Sequence, residues 1–220
     1  TYDAWVPAIK SILLKTGSPL SQKNGTWYIK DRRMLWENVV TKIFDDDLDK
    51  FVECAVEVLK ERDPKFDLPA KDRWAAASYG KSLRFSLEIR KGIAESLALI
   101  AAHPEALIKC SKTKAIDLPR VVLRKIFENV DANLWGSLDN LLPVLAEAAP
   151  REFLSVVETE LKKSPCPFWE LFSQEENSLF GQNYLNGLFR ALEVLAWDPE
   201  YIVRVCMILG ELSNYNGWRK

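Results

Sequence analysis

LEVLAWDPEYIVRVCMILGEL, residues 192–212, is the stretch from which we predict the fold. Its first apolar residues have helical spacing and stop at Asp198-Pro199. Aspartate is a favoured N-cap, and proline fits the first helical position because no N–H is needed there. Apolar residues then return every three or four positions, which predicts a second helix with a broad buried stripe. They are Tyr201, Ile202, Val205, Ile208, Leu209 and Leu212.

The same corner recurs along the chain. Prolines at positions 64, 104, 150 and 199 each follow a helical apolar pattern, and they recur every 40 to 49 residues. HEAT and armadillo repeats have a similar period of roughly 40–47 residues. We therefore predict an all-α fold, an irregular α-solenoid of helical hairpins of the HEAT, armadillo or TPR kind, in which each hairpin covers its neighbour. The alternative is one helical domain whose helices begin with proline.

Residues 1–30 are predicted to form a separate unit. A helix over residues 3–16 has an apolar face made by Trp5, Ile9, Ile12 and Leu13. A β-hairpin follows around Asn24-Gly25, because both turn positions require positive φ. A helix followed by a hairpin is also how a winged-helix domain ends, and both interpretations stay open. Residues 31–220 are predicted to be the helical-repeat domain.

Local signals set several predicted boundaries. Asp31 and Asp47 are predicted N-caps of the next two helices. A break is predicted near Tyr79-Gly80. Residues 111–119 are predicted to be a polar link, followed by a helix from Pro119 to about residue 129.

The composition excludes several classes of protein. Of the 220 residues, 48% are hydrophobic and 28% charged, and the net charge of −1 gives no global signal for nucleic acid or membrane. The longest apolar run, residues 97–102, is far shorter than the roughly 20 residues of a bilayer span. No signal peptide is visible, and both ends suggest a fragment of a longer protein. Widely spaced cysteines predict reduced, buried thiols in a cytoplasmic protein. They are Cys54, Cys110, Cys166 and Cys206.

Motifs for catalysis or metal binding are weak. The single histidine, His103, precedes a proline and is predicted to be a cap or surface residue, and one histidine without a C-x-x-C pair is too little for a zinc site. The acidic run at 45–49 has no turn glycine and no distal glutamate at calcium-loop spacing, so it is interpreted as a solvated helix start. Gly80-Lys81-Ser82 resembles the end of a phosphate loop, but Ala75 stands where the loop needs glycine. We predict no catalytic residue, cofactor or metal.

Two segments, 71–91 and 109–125, concentrate basic residues. If adjacent hairpins stack, these segments form one basic face for an anionic partner; the alternative is a solvated face balanced by acids elsewhere. Tryptophans near the ends of elements, including Trp218, are candidate exposed contacts. The residues predicted to bind a partner are Lys81, Arg84, Arg90, Lys91, Lys112, Lys114, Trp135 and Trp169.

Four strings together carry a family resemblance: SPLSQKNGTWYIKDRRMLW (18–36), FVECAVEVLKERDPKFDLP (51–69), SLDNLLPVLAEAAPREFLSVVE (137–158) and ALEVLAWDPEYIVRVCMILGEL (191–212). They resemble the region downstream of the nucleotide-binding core in large bacterial STAND NTPases, including antiphage proteins of the Avs type. In that family an effector and an NTPase core precede a helical-repeat sensor, which recognises a viral or cellular protein and thereby drives assembly.

The resemblance implies a non-catalytic sensor or scaffold segment that does not bind ATP by itself, because the phosphate loop belongs to the core. It implies a viral or host protein partner and a parent ATPase that oligomerises on activation, whereas the short apolar runs by themselves predict no membrane partner. The rival hypothesis, drawn from the residues alone, is a helical nucleic-acid-binding module that uses the basic segments.

Overall fold

The computed structural model describes residues 6–7, 10–12, 14–173 and 184–214. These residues are mostly helical, with one two-stranded antiparallel sheet formed by β1 (Leu20–Lys23) and β2 (Thr26–Ile29). The turn residues Asn24 and Gly25 have φ values of 51° and 78°, so the predicted hairpin is confirmed. Of the helix predicted over residues 3–16, Ile12 is buried, whereas Trp5, Ile9 and Leu13 lie outside the described residues, as does Trp218.

Residues 6–7 and 10–12 are helical. Ten further α-helices have defined bounds: α1 (Arg32–Val39), α2 (Asp45–Leu59), α3 (Leu87–Ala102), α4 (Lys112–Phe127), α5 (Ala132–Leu138), α6 (Leu142–Ala148), α7 (Pro150–Leu161), α8 (Pro167–Ser173), α9 (Asn186–Ala196) and α10 (Ile202–Ser213). Short 3₁₀ segments connect them at Val40–Lys42, Pro64–Asp67, Ala70–Tyr79, Pro104–Ala106 and Asp139–Leu141. The predicted break at Tyr79-Gly80 is confirmed, because Gly80 ends its segment with a φ of 68°.

The helices contact one another in two rows. In the first row α2 contacts α4, α4 contacts α7 and α7 contacts α10. In the second row α3 contacts α6, and α6 contacts α9. Sequential helices join the rows, because α3 packs on α4, α6 on α7 and α9 on α10.

Three of the four predicted corners lie at the joints between these paired helices, whereas Pro64 begins a 3₁₀ segment between α2 and α3. Helix α3 ends just before His103-Pro104, and Pro150 is the first residue of α7. At the last corner α9 ends at Ala196, but α10 begins at Ile202 and not at Pro199 as predicted. The Asp198 carboxylate accepts the N–H of Glu200 at 2.8 Å, and its carbonyl accepts that of Ile202 at 3.2 Å. Asp198 therefore closes a turn before the helix starts.

The two predicted N-caps behave differently. The Asp31 carboxylate accepts the N–H of Met34 at 2.9 Å, which confirms it as the cap of α1. The prediction for Asp47 is wrong, because α2 already begins at Asp45 and Asp47 is its third residue. The Asp47 carboxylate instead reaches back to accept the N–H of Phe44 at 3.0 Å. All three aspartates of this first turn suit the positive end of the helix dipole.

The polar link predicted over residues 111–119 is also wrong. Helix α4 begins at Lys112 and contains Pro119 in its interior. An interior proline costs a helix about 3 kcal/mol. Burial opposes this cost, because Ala115, Leu118 and Val122 are all buried. The sequence-based boundary failed because packing against α2 and α3 outweighs the local preference.

All four cysteines are unpaired. Cys166 is buried and Cys110 half-buried, but Cys54 and Cys206 are exposed, so the prediction of buried thiols is wrong for these two. Cys54 precedes the buried Ala55 in α2 and Cys206 follows the buried Val205 in α10, so each lies beside the buried face of its helix and not on it. None of the helices in the described ranges is long and apolar enough to cross a membrane.

Candidate interaction surfaces

Ion pairs join successive helices of the first row, and one of them uses the nominated Lys114. In the first row of helices, Asp49 of α2 pairs with Lys114 of α4 at 2.7 Å. Glu158 of α7 accepts two hydrogen bonds from Arg204 of α10, at 2.8 and 2.9 Å. Arg124 of α4 pairs likewise with Glu152 of α7, at 3.2 Å. These charges are therefore used between helices within the fold.

The acidic start of α2 is a joint with α4. The Asp45 carboxylate accepts hydrogen bonds from the N–H and the hydroxyl of Ser111, and these bonds lower the pKa of Asp45. The hydrogen bond to Asp49 raises the pKa of Lys114. In the described ranges no group of three or more acidic, cysteine or histidine side chains is placed to hold a metal ion.

Three of the other nominated basic side chains also have acidic neighbours. Lys81 pairs with Asp67 at 2.8 Å. Arg84 pairs with Glu57, and the Lys91 ammonium lies 3.9 Å from Glu95. Lys112, the first residue of α4, is exposed. The structure thus places five of the six nominated cations beside acids or, for Arg90, inside the protein.

Arg90 is only 1% exposed, so it is not available to a partner in this fold. Its guanidinium donates to the backbone carbonyls of Val58, Glu61 and Ser137, at 2.9, 3.2 and 3.1 Å. The prediction that Arg90 binds a partner is therefore wrong, although arginine is usually exposed. The Arg90 guanidinium supplies hydrogen-bond donors to backbone carbonyls at the C-terminal ends of α2 and α5, which have no donor partner within their own helices.

The nominated tryptophans also belong largely to the interior. Trp135 is 1% exposed. Its ring centroid lies 4.7 Å from that of Phe127 and 5.0 Å from that of Phe168, so it is the centre of an aromatic core and not an exposed contact. Trp169 is half-buried at the edge of that core. By contrast Trp197, which was not nominated, is 84% exposed at the corner after α9.

His103 lies where the sequence predicts it. It occupies the corner between α3 and the Pro104–Ala106 segment, where its ring is partly exposed and lies 3.5 Å from the Glu105 carboxylate. Gly80-Lys81-Ser82 follows a 3₁₀ segment and not a strand. Gly80-Lys81-Ser82 therefore does not have the preceding strand that a phosphate loop requires.

An apolar groove of about 510 Å³ opens between α1, α2 and α3. Its floor on α3 spans residues 89–100, which is about 16 Å or three helical turns. Helix α1 forms the opposite wall and has no fully buried residue. The wall residues on α1 are Arg32, Leu35, Trp36 and Val39, and the floor residues on α3 are Ile89, Gly92, Ile93, Ser96, Leu99 and Ile100.

Two small residues line the floor of this groove one turn apart. A Cβ added at Gly92 would meet no atom within 4 Å, so the space above it is open. The Ser96 hydroxyl donates to the Gly92 carbonyl at 2.8 Å and so presents little polarity to the groove. Small residues let another helix approach a helix backbone closely.

Helix α10 has an apolar surface that the described residues leave uncovered. Val203 is 67% exposed and Met207 65% exposed. Ile202 and Leu209, which were predicted to be buried, are exposed as well, whereas Val205, Ile208 and Leu212 are buried as predicted. The sequence already indicated that this helix is apolar on more than one side, because residues 202–209 contain one charged residue, Arg204, in an otherwise apolar run.

Comparison with protein-family models, with curated proteins and with solved structures gave no match to this chain.

Proposed function

We propose that this chain is a non-catalytic helical-repeat segment that binds another protein as a sensor or scaffold. Its paired helices then form an irregular α-solenoid of the HEAT, armadillo or TPR kind. The two rows of helix contacts support this architecture. So do the ion pairs between successive helices of the first row, since repeat arrays are stabilised by contacts between nearest neighbours.

The apolar groove between α1, α2 and α3 carries the proposal. Its volume of about 510 Å³ is enough for several large side chains but not for a whole helix. A groove three turns long with small residues on its floor suits the apolar face of an amphipathic helix, whose anchors recur at i, i+3 or i+4, and i+7. We therefore propose that the partner presents such a helix and inserts its anchors beside Gly92.

The wider setting rests on the family resemblance alone. The four quoted strings support a parent protein that is a bacterial STAND-type NTPase in antiphage defence or signalling, located in the cytoplasm. The partner is then a viral or host protein, and its binding drives assembly of the parent. The segment has no cofactor of its own in this proposal.

The test is a pull-down from phage-infected and uninfected bacterial lysates after nuclease treatment, with three baits. The first is the chain itself. The second is Gly92→Leu, which fills the groove from a position with open space above it. The third is Glu193→Leu, which adds the same side chain at an exposed position of α9. Circular dichroism verifies that all three fold alike.

The proposal expects one protein to be retained by the chain and by Glu193→Leu, and lost from Gly92→Leu. Equal retention by all three baits would exclude the groove as the binding site. In a parallel pull-down without nuclease, retention of nucleic acid alone, lost at moderate salt, would favour the nucleic-acid-binding hypothesis instead. No feature of the described surface favours that hypothesis specifically, because its nominated cations are mostly paired.

A further inference from the structure

The exposed side of α10 differs from the exposed sides of most surface helices. A surface helix normally carries one apolar stripe, whereas a helix that is apolar nearly all round is normally covered. At about 100° per residue, the buried stripe of Val205, Ile208 and Leu212 faces the core. The exposed stripe of Val203, Met207 and Gly210 faces the opposite way. A Cβ added at Gly210 would meet nothing within 4 Å, so a second helix can approach its backbone closely.

Two opposite charges flank this exposed stripe on the same side. Arg204 and Glu211 lie seven residues apart, which is close to two full turns. Arg204 lies on the edge toward α7, where it pairs with Glu158. Glu211 is exposed, and no ion pair joins it to another described residue.

We propose that α10 packs against α10 of a second copy of this chain, in an antiparallel dimer with two-fold symmetry. Two-fold dimers are the commonest oligomers, and their interface uses the same patch on both copies. Centred between Met207 and Ile208, this arrangement places each Val203–Met207–Gly210 stripe on its counterpart. It also places Arg204 of each copy beside Glu211 of the other. The dimer rests on α10 alone and is independent of the groove, so either proposal can fail without the other.

The charge pattern is what favours a second copy over an unrelated partner. In an antiparallel pair about a two-fold axis, flanking residues on the same side of both helices meet, at positions equidistant from the centre. Arg204 and Glu211 have opposite charges at such positions, so the stripe is complementary to itself. In a parallel two-fold pair each flank of one helix meets the opposite flank of the other, so Arg204 and Glu211 would not meet.

Sedimentation velocity of the 220-residue chain over a range of concentrations tests the proposal. We expect a reversible monomer–dimer equilibrium. Met207→Lys, at an exposed position, should raise the dimer dissociation constant at least tenfold. Glu211→Arg should raise it several-fold, because it places two arginines together. Ile116→Lys, at another exposed apolar position on α4, is the matched control and should leave the dimer unchanged.

A disulfide test locates the two-fold axis. In a background with Cys54→Ser and Cys206→Ser, Met207→Cys should form a covalent dimer on mild oxidation, and Ile116→Cys should not. A chain that stays monomeric at every concentration would overturn the proposal. So would a dimer that persists unchanged in both Met207→Lys and Glu211→Arg.

Discussion

The guanidinium of Arg90 donates a hydrogen bond of 3.1 Å to the backbone carbonyl of Ser137, 47 residues further along the chain. The same guanidinium donates to the carbonyls of Val58 and Glu61. It thereby joins α3 to the C-terminal ends of α2 and α5, whose last carbonyls have no partner within their own helices. Burial lowers the pKa of Arg90, and the carboxylates of Glu61 and Asp63 oppose that shift.

Replacing Arg90 should therefore destabilise the fold strongly. Arg90→Met retains an unbranched aliphatic stem but removes the guanidinium, which leaves three carbonyls without their donor and the Glu61 carboxylate without its cation. We expect the free energy of unfolding to fall by about 3 kcal/mol or more. Arg84→Met, which removes an exposed ion pair to Glu57, should cost less than about 1 kcal/mol. Urea unfolding of both variants measures the difference, and equal losses would contradict the role given to Arg90.

Substitution by alanine should lower the stability of the fold at two glycines, Gly187 and Gly136, and raise it at a third, Gly92. A Cβ at Gly187 would lie 1.7 Å from the Asp139 carbonyl oxygen, and one at Gly136 would lie 2.4 Å from the Phe66 ring. Gly187→Ala and Gly136→Ala should each destabilise by about 1–3 kcal/mol or more, because backbone or core must shift. Gly92→Ala should stabilise by about 1 kcal/mol, because its Cβ enters open space on a helix. Thermal denaturation followed by circular dichroism gives the signs, and a loss at Gly92 would contradict the open groove.

Stability should depend on pH through the joint between α2 and α4. Hydrogen bonds from Ser111 lower the folded-state pKa of Asp45 below its unfolded value. The unfolded chain therefore binds the proton more tightly, so this contribution is present at neutral pH and is lost as the pH falls through about 4 and below. Ser111→Ala should reduce the difference in unfolding free energy between pH 7 and pH 3. An unchanged pH profile in Ser111→Ala would show that this joint does not contribute.

The proline at the last corner, Pro199, should stabilise the fold by restricting the unfolded chain. Pro199 limits the conformations of the unfolded chain at a position where the native turn accepts it. Pro199→Gly should lower the free energy of unfolding by about 1 kcal/mol. Unchanged thermal stability in circular dichroism would contradict the role of the corner from which the fold was predicted.

Local chemistry accounts for what the sequence predicted correctly. Asn24-Gly25 determines its hairpin because few other residues accept positive φ at both positions. Pro104 and Pro150 mark helix starts because proline has no N–H to leave unpaired. These signals act within a few residues, so they can be recognised without knowing which helices pack together.

Long-range contacts account for what it missed. Pro119 lies inside α4 because the surrounding apolar residues are buried against other helices. Arg90 is buried because carbonyls from two distant segments converge on it. The groove depends on the spacing between α1 and α3, which no local pattern encodes. The exposed stripe of α10 was visible as an apolar run, but its direction depends on where α7 and α9 lie.

Hydrogen–deuterium exchange of the chain, with and without the protein captured in the pull-down, tests the central proposal most directly. Helix α1 has no fully buried residue, so its amides should exchange quickly in the free chain. Binding in the groove predicts slower exchange in α1 and along residues 89–100 of α3, with α9 unchanged. Protection confined to α9 and α10, or to the basic positions around residues 109–114, would contradict the proposal that the groove holds the partner.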